Sequence, residues 1–229
     1  MKYRLPITAL LCAFGAVWQV PVQADPPQPL GCRNGFFPSK QDALFLAKVD
    51  GKQPRLYFYD DSEGCPQNGE SCKDKTYVLP GDELLINTVA DGWACAWYPG
   101  SHHETVGWVE ANRLEREPSN GAEDLSEWTG TWSFYGDKIS ITAKGKELEV
   151  QGDAIWQGAR LPGGGRATNV GDIEGPMVPA NGRAHLSEGE GHEDDCAADF
   201  ALIGKFLVVA DNHNCGGMNV DFDGIYRRR

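Results

Sequence analysis

The chain has 229 residues, a formal charge of −12 and a sequence pI near 4.8. Hydrophobic residues at 41% and charged residues at 24% describe a globular composition long enough for one large domain or two small ones. Gly (28) and Pro (14) together reach about 18% against a usual ~12%, which argues against helical bundles and coiled coils, and the acidity argues against nucleic acid and anionic lipid, whose binding needs clustered Lys and Arg.

Residues 1–24 read as a secretory signal. Lys2 and Arg4 open it, residues 7–17 are apolar, and Val22 and Ala24 occupy the −3 and −1 places of a small-residue cleavage site before Asp25. The apolar run falls short of the ~20 residues that span a bilayer, so cleavage is expected rather than anchoring, and no later segment is a candidate membrane span. Loss of Lys2 and Arg4 leaves a mature charge of −14, with −6 over residues 25–122 and −8 over residues 123–229. Cleavage also removes Cys12. The six remaining cysteines are an even set in an exported chain and read as disulfides, with fifteen possible pairings. Spacing favours Cys196 with Cys215 and Cys65 with Cys72, leaving Cys32 for Cys95, although sequence alone does not choose among the fifteen. The expected location is the periplasm or the secreted medium.

Residues 25–41 form an N-terminal extension, and short strands follow. Residues 43–49 stop at Asp50-Gly51, residues 56–59 stop at an acidic turn, residues 76–79 stop at Pro80-Gly81, and residues 83–90 stop at Asp91-Gly92. Residues 93–98 alternate, with Trp93, Cys95 and Trp97 on one face, and residues 105–109 close the series. The runs DELLINTVADGWACAWY and TVGWVEANRLE, with Gly107, Trp108, Val109 and Leu114, resemble the second half of a bacterial SH3-like (SH3b) domain over residues 42–115. The resemblance implies a small barrel with an aromatic surface groove for peptides. Within it Tyr98 and Trp108 are the candidate exposed contacts, and the insert holding Cys65 and Cys72 reshapes the first loop.

Residues 116–124 (REPSNGAED) read as a linker. The second module, residues 125–229, opens with Gly130-Thr131-Trp132, which resembles the start of lipocalin-like and avidin-like barrels. A hairpin of residues 138–142 and 147–150 turns at Lys144-Gly145. Residues 157–192 read as loop, and residues 197–203, 206–211 and 219–226 as three strands. Cys196, Cys215-Gly216-Gly217 and Gly224-Ile225-Tyr226-Arg227 are similar to the C-terminal domains of lysozyme-inhibitor-like periplasmic proteins. The expected fold is all-β: an SH3-like barrel followed by a lipocalin-like or avidin-like meander barrel.

Chemistry-bearing motifs are few. No G-x-S-x-G elbow occurs, and no cysteine is left over for a Cys–His hydrolase. Gly163-Gly164-Gly165-Arg166 lacks the Lys-Ser/Thr ending of a phosphate loop and reads as a turn. Adjacent His102 and His103 on a strand would point to opposite faces, a poor zinc pair. No carboxylate pair stands out for glycoside cleavage. Glu188, Glu190, His192, Glu193, Asp194 and Asp195 form the densest charge run, which reads as a solvated loop, a contact for a basic protein or, without EF-hand spacing, a calcium site. We therefore expect no catalytic residue, metal or cofactor, and an exported binding protein directed at a basic cell-wall hydrolase or toxin, as an inhibitor or immunity protein. The alternatives are an SH3b-type sensor that binds a peptidoglycan peptide and a small lipocalin-like carrier.

Overall fold

The structure, a computed structural model, describes residues 31–35, 37, 44–100, 103–118 and 124–229. The signal segment, most of the N-terminal extension, His102 and residues 119–123 of the expected linker lie outside the described residues. The fold is nearly all β, in two sheets.

The first sheet holds β1 (Phe45–Val49), β2 (Leu56–Tyr59), β3 (Lys73–Val78), β4 (Glu83–Ala90), β5 (Trp93–Tyr98), β6 (Thr105–Glu110) and β7 (Leu114–Arg116), in the order β3-β2-β6-β5-β4-β1-β7. Asp91 (φ 51°) and Gly92 (φ 83°) take left-handed conformations, the pattern of a tight hairpin turn whose twist matches the flanking strands β4 and β5. One face of six strands converges on a single core of Ala47, Val49, Leu56, Phe58, Val78, Leu84, Ile86, Ala94, Ala96 and Val109. A sheet whose strands all share one core is rolled into a barrel. Arg113 closes its end: the buried guanidinium donates from Nε to Asp50 Oδ1 (2.7 Å) and from Nη2 to the Gln53 carbonyl (3.2 Å). Lys52 adds a 2.7 Å contact from Nζ to Asp50 Oδ2. The Lys52 contact first, then Arg113, hold the Asp50 carboxyl at about 2.

The second sheet holds β8 (Gly130–Phe134), β9 (Asp137–Lys144), β10 (Glu147–Arg160), β11 (Arg166–Met177), β12 (Arg183–Ser187), β13 (Ala197–Ile203), β14 (Phe206–Asp211) and β15 (Gly224–Arg228). Their order, β11-β10-β9-β8-β15-β14-β13-β12, is two meanders joined where the first and last strands pair, Arg227 opposite Ser133 and Arg228 opposite Trp132. The remaining seam, between β11 and β12, carries no ladder. It is bridged where the Glu174 N–H donates to Glu188 Oε1 (2.5 Å) and where Leu186 packs beside Gly175. The result is a nearly closed eight-stranded meander barrel. Its interior is filled by side chains, including Trp128 from α1 (Leu125–Trp128), Trp132, Phe200, Phe222 and Tyr226. The Trp132 indole donates to the Trp128 carbonyl (2.9 Å) and the Tyr226 hydroxyl to the Phe222 carbonyl (3.1 Å), so the buried polar atoms are satisfied.

The reading of residues 157–192 as loop is corrected: β10 runs on to Arg160, and β11 and β12 lie within it. The alternation is hidden because two of the inward positions of β11 are Gly171 and Gly175. A Cβ at Gly171 would come within 2.3 Å of the Cys215 carbonyl oxygen, so the small residue is demanded by the neighbouring chain. The last strand starts at Gly224 and not at residue 219.

The two barrels are not separate beads. The outer face of the first sheet presents Tyr59, Leu85, Cys95, Trp97, Val106 and Trp108, and these form one cluster with Ala201, Phe206, Val208 and Ile225 of the second. Trp97 meets Phe206 edge to face, centroids 5.3 Å apart. Lys205 Nζ lies 2.6 Å from Glu83 Oε2 at the rim. The structure contains Cys65–Cys72 and Cys196–Cys215, the two pairs favoured in the sequence, and Cys32–Cys95, the pair left by elimination. Cys32–Cys95 lies in the shared cluster. Three disulfides indicate an oxidising, exported environment. Among the described residues no helix is long and apolar enough to cross a membrane.

Candidate functional site

The aromatic face of the first barrel is the first place to look, and it is covered. Trp108, expected as an exposed contact, is 6% exposed and belongs to the junction between the barrels. Its strand is apolar on both faces, so the residue that faces away from the small core faces the second barrel instead of solvent. Tyr98 is half-buried against the small core; burial, with the Asp82 carboxylate beside it, pushes its phenol above the ordinary value.

Two clefts flank the junction. The larger, about 670 Å³, is lined by Leu46, Glu83, Arg116, Arg183, Lys205 and Arg228 among others. Two of its cations are engaged inside the protein: Lys205 pairs with Glu83, and Arg228 stacks over Trp132 at 4.7 Å. The smaller, about 390 Å³, includes Trp97, His103, Glu104, Ser133, Tyr135 and Arg227. There the Trp97 indole donates to Glu104 Oε2 (3.0 Å), and Ser133 Oγ accepts from Arg229 Nε (3.1 Å). A serine held by an arginine, with no histidine bonded to it among the described residues, is not an activated nucleophile. No group of three or more His, Cys, Asp or Glu among the described residues is arranged to hold a metal.

The acidic run at 188–195 is a built loop. Cys196–Cys215 pins its C-terminal end, and the crosslink spans a separation of 19 residues, which contributes roughly 3 kcal/mol by restricting the unfolded chain. Asn212 Nδ2 donates to the Asp195 carbonyl (2.7 Å), and Asn214 Nδ2 to the Glu193 carbonyl (2.8 Å). Asp195 Oδ2 accepts from the N–H groups of Gly191 (2.9 Å) and His192 (2.8 Å), closing the turn. Gly189 (φ 80°) passes so close that a Cβ there would meet the Asp195 carboxyl at 2.7 Å. The run therefore divides. Asp195 and Glu188 are consumed in construction, Glu188 at the barrel seam. Glu190, Glu193 and Asp194 are exposed, with His192 Nε2 3.7 Å from Glu190.

A second carboxylate group, at the turn between β14 and β15, is absent from the sequence reading. The Asp211 carboxyl, on a fully buried side chain, accepts from the N–H groups of Phe222 (2.8 Å) and His213 (2.9 Å), and Asp223 Oδ1 accepts from the Asp211 N–H (2.7 Å). Burial raises the Asp223 and Asp137 carboxyls above their ordinary value. The contacts of Asp211 and Asp223 serve the 211–223 turn, while Asp137 accepts from the Ile155 N–H of β10. A D-N-H-N…D-F-D spacing of short polar side chains was the available signal, since such residues build turns by bonding to nearby backbone.

Measured against family models, curated proteins and solved structures, the chain matches none.

Proposed function

We propose that the protein is an exported, non-catalytic binding protein acting in the periplasm on a basic cell-wall hydrolase, as an inhibitor or as an immunity protein against such an enzyme used as a toxin. The observation that carries the reading is the acidic loop. Its backbone is fixed before any partner arrives, and Glu190, Glu193 and Asp194 point outward from it. A preorganised charged loop loses little ordering entropy on binding and accelerates encounter with an oppositely charged protein. The general charge of −12 acts in the same direction and repels anionic wall polymers. The filled interior of the second barrel supports binding at the surface over carriage of a ligand within. The covered position of Trp108 removes one contact on which a peptide-sensing groove was expected to rely.

The test is inhibition. At stoichiometric amounts the mature protein slows at least one basic muramidase in a panel assayed on cell-wall substrate. The combined variant Glu190→Gln, Glu193→Gln, Asp194→Asn slows association about tenfold at low salt and flattens its salt dependence. Absence of inhibition across the panel overturns the proposal.

A further inference from the structure

Three of the nine large apolar side chains exposed among the described residues lie together on one side of the second barrel. They are Ile155 (43% exposed) on β10, Val170 (65%) on β11 and Met218 (79%) in the loop before β15. Ile155 and Val170 are direct cross-strand partners on the outward face. The neighbouring segments are bonded to them. The Ile155 N–H donates to Asp137 Oδ1 (3.0 Å), and Gly136 abuts the Ile155 side chain. On the other side the Gly217 N–H donates to the Val170 carbonyl (3.1 Å), and Asn169 Nδ2 to the Met218 carbonyl (2.6 Å). Four chain segments thus hold an apolar strip in place without covering it.

The charges beside the strip indicate what fits it. One step along the same outward face, Asp153 stands directly opposite Asp172, and the next pair is Gln151 with Glu174. Like charges directly opposed destabilise a sheet. Lys138, in register with Asp153 on β9, supplies one cation to that row. The face therefore carries apolar area and uncompensated negative charge side by side. A second copy of the chain would bring the Asp153–Asp172 pairs together and is disfavoured by its own charge.

We infer that this strip is the docking surface for a basic protein that presents an apolar side chain between Lys or Arg groups, the apolar part seated on Ile155, Val170 and Met218 and the cations against Asp153 and Asp172. The inference rests on the proposed function and adds a division of labour to it. The acidic loop governs the rate of encounter, and the strip governs the lifetime of the complex.

The experiment measures association and dissociation of the mature protein with the basic muramidases of the panel, with an acidic enzyme as control. Ile155→Ser with Val170→Ser should raise the dissociation rate about thirtyfold and leave association within about twofold. Asp153→Lys with Asp172→Lys, which leaves the apolar pair intact, should weaken binding at least about tenfold at low salt. Thermal unfolding of each variant confirms that it is folded. Binding that survives both double variants yet falls with the acidic-loop variant discards the strip and leaves the proposed function standing. A wild-type protein that binds no member of the panel overturns the proposed function, and the strip's assignment falls with it. A wild-type dimer in sedimentation that Ile155→Ser with Val170→Ser dissociates makes a second copy the occupant and overturns the basic-partner assignment.

Discussion

In the first barrel Leu84 and Ile86 point into the small core while Leu85 between them points into the junction, and Ala94 and Ala96 alternate in the same way with Cys95 and Trp97. In the second barrel β10 and β11 bury one face and send carboxylates and a few apolar side chains outward. The first module is thus apolar on both faces and needs its neighbour as a cover. The second covers it with β13, β14 and β15 and still keeps the β10–β11 side free. The proposed recognition surfaces, the acidic loop and the apolar strip, accordingly both lie on the second barrel, which the first supports from behind.

That division can be broken at the junction. Phe206→Ala removes the ring that Trp97 abuts and should cost about 3–5 kcal/mol, the range for deleting a buried aromatic side chain. Calorimetry should then resolve two unfolding transitions where the wild type shows one. A single transition displaced to lower temperature would mean that other contacts couple the barrels. A cut inside the first barrel sharpens the contrast. Arg113→Met, made in the Phe206→Ala background, removes the Nε donor to the buried Asp50 carboxylate while Lys52 remains, and should cost about 1–3 kcal/mol, with the loss confined to the transition assigned to the first barrel.

Acid should separate the barrels as well. The Asp50 carboxyl is depressed to about 2 in the folded protein, so its stabilising contribution is complete above the ordinary value of 3.8 and is lost as pH falls from there through about 2. Asp137 and Asp223 in the second barrel are shifted the other way. A raised carboxyl binds its proton more readily in the folded state, so these groups add stability as pH falls toward the ordinary range. Between pH 4 and 2 the first barrel should therefore weaken relative to the second, measured by following the two transitions of Phe206→Ala across pH. Equal loss in both would remove the distinction. The smallest effects belong to the acidic loop. Asp194→Asn should change stability by less than about 0.5 kcal/mol, whereas Asp195→Asn, which weakens the acceptor for two backbone N–H groups, should cost about 1 kcal/mol in chemical denaturation.

Much of the strand order was legible from turn chemistry. Asp91-Gly92 and Lys144-Gly145 mark hairpins that the structure contains, and residues 83–90 and 93–98 are strands with those bounds. The junction was less legible, although its signal was present: unbroken runs such as Leu84-Leu85-Ile86 and Ala94-Cys95-Ala96-Trp97 are what a strand buried on both faces requires. Trp108 lies in a run of the same kind, Val106-Gly107-Trp108-Val109, so a place on a solvent-facing groove was the wrong expectation for it. In the acidic run, composition locates the loop but does not distinguish Asp195, bonded to its own turn, from Asp194, facing outward. The apolar strip was hidden for a related reason. Ala154, Ile155 and Trp156 are three apolar residues in succession, and only the register against β11 shows that the middle one points outward.

The pairing of β8 with β15 sets the order in which the molecule can be completed. A chain synthesised from its N-terminus has every other strand of the second barrel available before residues 224–228 emerge, yet the ring stays open at β8 until they do. Ile225 on that same strand also belongs to the layer that shields Trp97 and Trp108. Maturation of both halves is therefore gated by β15. Until then the nascent protein carries an unpaired strand edge and an uncovered apolar face, the two features that chaperones recognise and that drive aggregation. Deleting residues 224–228 should consequently cost the cell the folded protein as a whole, and not merely one strand of it.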